Sequence, residues 1–415
     1  MHDNALSQSL ALLRTRRFGT FWFASLLSNI GTWAQQVAQP WLLLSLGASP
    51  FILGLDAFAM GAPVWILTLA GGALADHSDR RRVITLFQSI QMLCPTLLVV
   101  LLLTGKVEPW VVIALSLVVG ITDALSMPSF QSIVPSIVEH DQISSGIALN
   151  STQFNLSRIL GPAIAGVLMA SVGAVGAFTV SAASYLPFIL VALWILPHAA
   201  SPSTANRGLG YRQLSASVRE ILREPQLRGA LLTVFVTSLL CAPLITFCPV
   251  LVKEVLHGGV GHFSLIVGAF GIGGLFGAVA LLAIAPGRDR RPLSSWLAVA
   301  YGAIVVIAAL NRWIWGLPWL FALAGLSMTI SNASANTLLQ TASPARLRGQ
   351  TVSLFMLAVR GGASLGSLLT GVAVGWLGVR HALLFNGMLA VAGQLLIGWL
   401  WRREVPLANK ASPSP

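Results

Sequence analysis
The sequence predicts an all-α polytopic membrane protein, with twelve transmembrane helices in two pseudo-symmetric six-helix bundles. Three observations carry that expectation. Of 415 residues, 55% are hydrophobic and only 9% are charged, whereas a soluble domain carries about a quarter charged residues. The charges are gathered into short links, leaving 18–51, 57–75, 83–105, 159–206 and several later runs free of Asp, Glu, Lys and Arg. The basic residues also favour alternate links, the pattern that orients a chain crossing a bilayer repeatedly.

In chain order the apolar segments are 18–46, 51–75, 83–104, 109–134, 142–171, 174–196, 228–252, 261–285, 293–311, 316–341, 347–377 and 380–401. About 20 such residues cross a bilayer as a helix. Lipid offers nothing to backbone N–H and C=O groups, and a helix satisfies them internally. Gly47-Ala48-Ser49-Pro50 separates the first two segments, and Gly316-Leu317-Pro318 opens the tenth; both carry turn chemistry. The polar stretch 197–227 makes a central cytoplasmic linker between an N-terminal six-helix half, 1–196, and a C-terminal half, 228–415. Within it, 201–210 reads as flexible. Tyr211–Arg223 places Leu214, Val218, Ile221 and Leu222 on an apolar face beside Arg212, Arg219 and Arg223, which fits either a helix on the inner surface or a plain tether.

Arg14, Arg16, Arg17, Arg80 to Arg82, the arginines from Arg207 to Arg228, Arg288 to Arg291, Arg346, Arg348, Arg402 and Arg403 lie on one set of links, while the opposite set holds only Lys106, Lys253, Arg312 and Arg380. The arginine-rich side is expected in the cytoplasm, with both termini, and the membrane is expected to be a bacterial inner membrane. A net charge of +12 placed in such links reads as orientation and contact with membrane lipid, not as a nucleic-acid surface. Cys94, Cys241 and Cys248 fall inside apolar runs without metal-ligand spacing. The first apolar run is too long for a cleaved signal peptide. The histidines are scattered near links, and no glycine–lysine phosphate loop occurs. A monomer without metal, cofactor or enzymatic activity is therefore expected.

Charges inside spans are costly and mark functional positions. Asp56 falls early in the second span and Asp123, Arg158 and Arg360 lie deeper in theirs. At about 1.5 Å per residue, Asp123 and Arg158 sit roughly 20 Å below the outer face on consecutive spans, so they could pair. Asp56, Asp123 and Arg158 are the candidates for proton coupling. The alternatives are a solvated Asp56 near its helix start and a purely structural Asp123–Arg158 pair. Arg360 could meet an anionic substrate or snorkel to the rim. Asn29, Thr32 and Gln36 share one helical face, Gln35 and Gln39 lie one turn apart beside them, and Asn332, Asn336 and Gln340 repeat at four-residue spacing. Such amides either face a shared space or bond between helices. Trp33 and Trp65 are deeper than the other tryptophans, suited to an apolar substrate surface or to packing. A shift of 205 residues superposes Gly120 on Gly325, Ser126 on Ser331, Gly161 on Gly366, Gly166 on Gly371 and Gly173 on Gly378, an internal echo of the kind that transporters built from two similar halves carry.

Gly72-Ala73-Leu74-Ala75-Asp76-His77-Ser78-Asp79-Arg80-Arg81-Arg82 resembles the signature loop between the second and third helices of the major facilitator superfamily, with Asp79 where that family has glycine. The stretch 285–291 resembles its degenerate second copy. Asn29-Ile30-Gly31-Thr32-Trp33 with Gln39-Pro40, and 155–166, are similar to the subgroup that includes the enterobactin exporter and related efflux proteins. The resemblance implies a cytoplasmic latch at Gly72, Asp76, Arg80, Arg81 and Arg82, and a central path lined by the first and fourth helices of each half. Substrate-cavity candidates are then Asn29, Trp33, Gln36, Asn155, Arg158, Asn332, Asn336 and Arg360. It also implies export of a small amphipathic or hydrophobic compound by alternating access, driven by the proton gradient as antiport. Proton-coupled import of a small metabolite, or a non-transporting membrane scaffold or sensor, are the alternatives.

Overall fold
A computed structural model describes residues 11–195, 211–283, 289–344 and 346–404; the side chains of some helical positions within these ranges fall outside the description. The first seven long helices are α1 (Arg16–Ser45), α2 (Pro50–Gly61), α3 (Pro63–His77), α4 (Arg80–Leu103), α5 (Pro109–Ile137), α6 (Ile143–Ser171) and α7 (Gly173–Trp194). After α8 (Tyr211–Arg223) follow α9 (Pro225–Cys241), α10 (Val260–Leu282), α11 (Arg291–Leu310), α12 (Leu317–Ala342), α13 (Arg348–Met356) and α14 (Gly362–Glu404). Prolines open α2, α3, α5 and α9 in their first turn, where a missing N–H leaves no bond unmade.

Among the described residues nine stretches are long and apolar enough to cross a membrane, so the protein is an all-α, multi-pass membrane protein. The helices α1 and α6 are of matching length, 30 and 29 residues. Their apolar character is diluted by amides, Asn29, Gln35, Gln36 and Gln39 in one, Asn150, Gln153 and Asn155 in the other.

Three expected spans differ in detail. The second is cut at Ala62, which stays helical ahead of Pro63. The seventh breaks after Cys241 into the short helices Pro243–Thr246 and Cys248–Val250 and a π turn, Leu251–Val255. Pro243 and Pro249 explain the breaks, since each removes a ladder N–H and crowds the preceding turn. Tyr301 hydroxyl donates to the freed Cys241 carbonyl at 3.2 Å. The eleventh contains a π turn, Leu357–Gly361, before α14. That last helix is two limbs joined at Gly378, whose φ of 76° and ψ of 160° are non-helical.

Helices α1 to α7 pack chiefly on one another: α1 against α6 and α7, α4 against α5 and α7, α5 against α2 and α3. The later helices do likewise, α10 against α12, α11 against α12 and α14, and α9 against α14 and α12. Two seams join the groups, α2 against α14 and α6 against α10. The α8 segment is a helix docked on the later group: Ile221 is fully buried in a cluster with Leu227, Leu231, Leu338 and Leu347, and Glu220 pairs with Arg346.

The 205-residue echo is structural. Gly173 and Gly378 both take positive φ, 69° and 76°, which only glycine adopts without strain. A Cβ at Gly120 would strike the Met60 carbonyl of α2, and one at Gly325 the Phe270 carbonyl of α10. Gly161 lies against Ile30 and Trp33 of α1, and Gly366 against the Leu239 carbonyl of α9. Gly166 meets Ser264 of α10, whereas Gly371 meets Pro50 and Gly54 of α2. Each glycine pair thus performs one packing task twice, while Ser126 bonds the Asp123 carbonyl of its own helix and Ser331 the Ser294 carbonyl of α11. Close backbone approach at small residues drives helix association where lipid and side chains are equally apolar.

Candidate functional site
The ionisable side chains between the helices fall into two arrangements. Asp56 of α2 is 5% exposed. Gln39 Nε2 of α1 reaches its Oδ1 and Oδ2 at 3.0 and 2.8 Å, and Ser116 hydroxyl of α5 donates to Oδ1 at 2.6 Å. Gln35 donates to Gln39 at 3.4 Å, and Ser181 of α7 donates to Gln35 at 3.0 Å. Four helices of one group thereby converge on one carboxylate through neutral side chains. A solvated aspartate near a helix start is not what the structure contains. Gln39 and Ser116 were not assigned to Asp56 by sequence; the one available signal was the one-turn spacing of Gln35 and Gln39.

Asp123 of α5 is arranged differently. Its described ion-pair partner is Arg360, fourth residue of the π turn Leu357–Gly361. The pair crosses between the two helix groups, with 40% of the Asp123 side chain and 33% of the Arg360 side chain exposed. The expected partner Arg158, like Asn155 and Asp76, has its side chain outside the described residues, and Gly72 is described only as backbone in α3. Arg360 therefore does not run out along its stem to the rim but holds a carboxylate across the seam. Beside it, the indole of Trp65 lies against Gly361, where a Cβ would overlap the ring, and Trp65 remains 42% exposed.

The amides divide. Asn29, Gln36, Asn332 and Asn336 are half-buried. The Oδ1 of Asn332 is buried without a hydrogen-bond partner, while Asn336 accepts from Gln340 at 3.1 Å. Thr32 pairs with the Tyr185 hydroxyl at 2.9 Å. A second buried chain, which the sequence did not disclose, runs from Ser28 to Gln88 at 3.2 Å, Gln91 at 3.0 Å and Thr122 at 3.2 Å, the neighbour of Asp123. Trp33 packs between α1 and α6, edge-on to Phe154 with ring centroids 6.0 Å apart.

At the arginine-rich end, Asp79 takes the place of the family's glycine and caps α4. It accepts from Arg81 N–H at 3.0 Å and lies 3.8 Å from Arg82. Asp289 repeats the device, accepting from Arg291 N–H at 2.9 Å and pairing with its side chain at 2.8 Å. Burial pushes the Asp289 carboxyl up, but the Arg291 side chain, its backbone N–H and its charge outweigh that and hold it below the ordinary carboxylate value. At the arginine-poor end, Trp41 of α1 stacks on Phe263 of α10 with centroids 5.2 Å apart. Lys253 ammonium approaches the Leu44 carbonyl at 3.4 Å, a cation at a helix C-terminus.

Among the described residues no group of three His, Cys, Asp or Glu is placed to hold a metal ion, and all three cysteines are buried free thiols. Long apolar helices meeting on glycine-lined seams, with acids, a guanidinium and amides kept between them, make a multi-pass membrane protein, and its family and relatives are transporters of small molecules, not enzymes. A family model described as transmembrane secretion effector matches residues 7–413; the chain belongs to that family, within the major facilitator superfamily.

Relatives lie in several transport groups. The chain is 27% identical over 266 residues to the staphyloferrin A transporter of Staphylococcus aureus, covering 63% of this chain and 66% of that one. It is 25% identical to the multidrug efflux pump Tap of Mycolicibacterium fortuitum, over 94% of this chain and 97% of the pump. It is also 25% identical to the enterobactin exporter of Citrobacter koseri, over 98% of each. In fold it is similar to a bacterial homolog of the human lysosomal transporter Spinster in an inward-facing, occupied conformation. The TM-score is 0.72 at 16% identity, with 96% and 98% of the two chains covered.

Proposed function
We propose that this protein is a proton-coupled exporter of small amphipathic or hydrophobic compounds, an antiporter of the bacterial inner membrane with both termini in the cytoplasm. Twelve spans form two six-helix halves, 1–196 and 228–415, joined by the linker 197–227, and rock about a central path. The observation that carries the reading is Asp56, a carboxylate enclosed inside the helix bundle whose described partners are all neutral. Such an acid can hold or release one proton without breaking an ion pair, and an intramembrane acid is a functional position by default. Its donors belong to α1 and α5, while its own helix forms a seam with α14. A change of charge there therefore acts on the contact between the halves.

The Trp41–Phe263 stack and the Lys253 contact support a state closed at the arginine-poor end. Asn29, Gln36, Asn332, Asn336, Arg360, Trp33, Asn155 and Arg158 are assigned to the cavity. The latch is assigned to Gly72, Asp76 and Arg80 to Arg82. Export is supported by the relatives described as an efflux pump and an exporter.

The test is flux in inside-out vesicles with an acidic interior, using 1-naphthoate, 1-naphthylmethanol and 1-naphthylmethylammonium as probes. At least one probe accumulates in protein-containing vesicles above its level in protein-free vesicles holding the same gradient, and collapsing the pH gradient releases that excess. Accumulation that survives collapse of the gradient, or none for any probe, contradicts the reading.

A further inference from the structure
The Asp123–Arg360 pair has features that a structural bridge does not need. It joins two groups of helices and stays partly open, with 33% of the guanidinium side chain and 40% of the carboxylate side chain accessible. It is aimed by a π turn, Leu357–Gly361, the kind of extra residue in a helix that marks functional positions. A half-exposed indole, Trp65, rests against the same turn at Gly361. A guanidinium offers a planar fork of donors that fits a carboxylate in two-point fashion, and an indole offers a flat apolar face.

We propose that Arg360 and Trp65 form a site for an amphipathic aromatic carboxylate, which takes the place of Asp123 on the guanidinium while one proton enters with it. This deepens the transporter reading above and rests on it for the location of the cavity. Before binding, the guanidinium neutralises the Asp123 carboxylate. Once the ligand carboxylate occupies Arg360, one negative charge is left over in a site walled by apolar helices. A proton from solvent, ending on an Asp123 carboxylate oxygen, restores balance; no other bond changes.

Among the described residues few other ionisable groups face Asp123. From α7 there is the Tyr185 hydroxyl, near enough to feel its charge and bonded to Thr32. On α4 the Cys94 thiol donates to the Ile90 carbonyl of its own helix at 3.4 Å. On α2, Asp56 is turned to Gln39 and Ser116. Arg158 of α6 and Asp76 of α3 have side chains outside the described residues. The proton on Asp123 balances charge in the bound state and is distinct from the one assigned to Asp56, which carries the exchange. Anion and proton then favour each other's binding, as linkage requires.

The experiment is equilibrium binding to the full-length protein in detergent, by titration calorimetry in two buffers of different ionisation enthalpy, which counts protons. The probes are 1-naphthoate, 1-naphthylmethanol and 1-naphthylmethylammonium, alike in size and different in charge. Naphthoate is expected to bind about tenfold or more tightly than either other probe, with about one proton taken up per anion. Arg360→Gln is expected to weaken naphthoate about tenfold and leave naphthylmethanol within about twofold, which also shows that the variant is folded; Arg360→Lys recovers part of the loss. Asp123→Asn is expected to abolish proton uptake and to keep or tighten naphthoate binding, because Arg360 is no longer occupied. Equal binding of the three probes, a preference for the ammonium, no naphthoate binding, or proton release overturns the proposal. Because no flux enters this measurement, a failure of export leaves it unaffected, and a failure here leaves gradient-driven flux of another probe intact.

Discussion

Asp56 and Asp123 lie on α2 and α5, helices that pack directly on each other, yet their surroundings are opposite. Asp56 is enclosed and held by an amide and a hydroxyl from its own group of helices. Asp123 is half open and held by a guanidinium from the other group. The difference teaches that an acid's task inside a membrane depends on whether its partner moves with it. Partners within one group travel together, so Asp56 keeps its hydrogen bonds whatever the seam does, and its proton is the variable. Asp123 loses or regains its partner when the seam opens, so its pairing is the variable.

Removing the enclosed acid is expected to have the largest effect. Asp56→Ala strands the Ser116 hydroxyl and leaves Gln39 only its bond to Ser116 Oγ at 2.6 Å, and bonds to a charged acceptor are worth about 1.5–3 kcal/mol each. A loss of about 3 kcal/mol, read as thermal unfolding in detergent, is expected, with Asp56→Asn losing less. An unchanged midpoint for Asp56→Ala would show that the cage contributes nothing. Gln39→Leu comes next: it removes one donor and leaves Ser116, for a loss of about 1.5 kcal/mol by the same measurement. Asp123→Asn breaks a half-exposed pair, so stability should change by less than about 1 kcal/mol, although the seam is altered. A loss as large as that for Asp56→Ala would erase the contrast between the two acids.

The smallest effects belong to the caps. Asp79→Ala is expected to cost about 0.5–1 kcal/mol as a lost helix cap. For Asp289 the sign follows from its lowered value. Its stabilisation is fully present above the ordinary aspartate pKa of about 3.9 and disappears as pH falls through the lower folded value. The difference in unfolding midpoint between the protein and Asp289→Asn should therefore vanish in acid and hold steady at neutral pH.

Much of this was legible in the sequence, for reasons that also mark where legibility ends. Apolar runs and missing charges locate helices because lipid forbids anything else, and four of the five echoed pairs located glycines that the structure uses in matched packing tasks. Proline chemistry at 243 and 249 cut a span that composition alone read as continuous. The described partner of Asp123, Arg360, was not legible. Rise per residue placed Asp123 and Arg158 at one depth, a pairing that falls outside the described residues, and depth gives no hint of a partner from the other group of helices. Arg360, 237 residues away, is presented by a π turn that no periodicity discloses. Gln39 and Ser116 were hidden for a similar reason: a buried amide reads the same whether it bonds a neighbouring helix or faces a cavity.

The most direct measurement compares Asp56→Asn and Asp123→Asn side by side in reconstituted vesicles, following a naphthyl probe with and without an imposed pH gradient. The account predicts that Asp56→Asn still exchanges probe down its own gradient but no longer accumulates it when a proton gradient is applied, whereas Asp123→Asn changes which probe is carried and how tightly it binds while accumulation remains gradient-driven. Full gradient-driven accumulation by Asp56→Asn would contradict it.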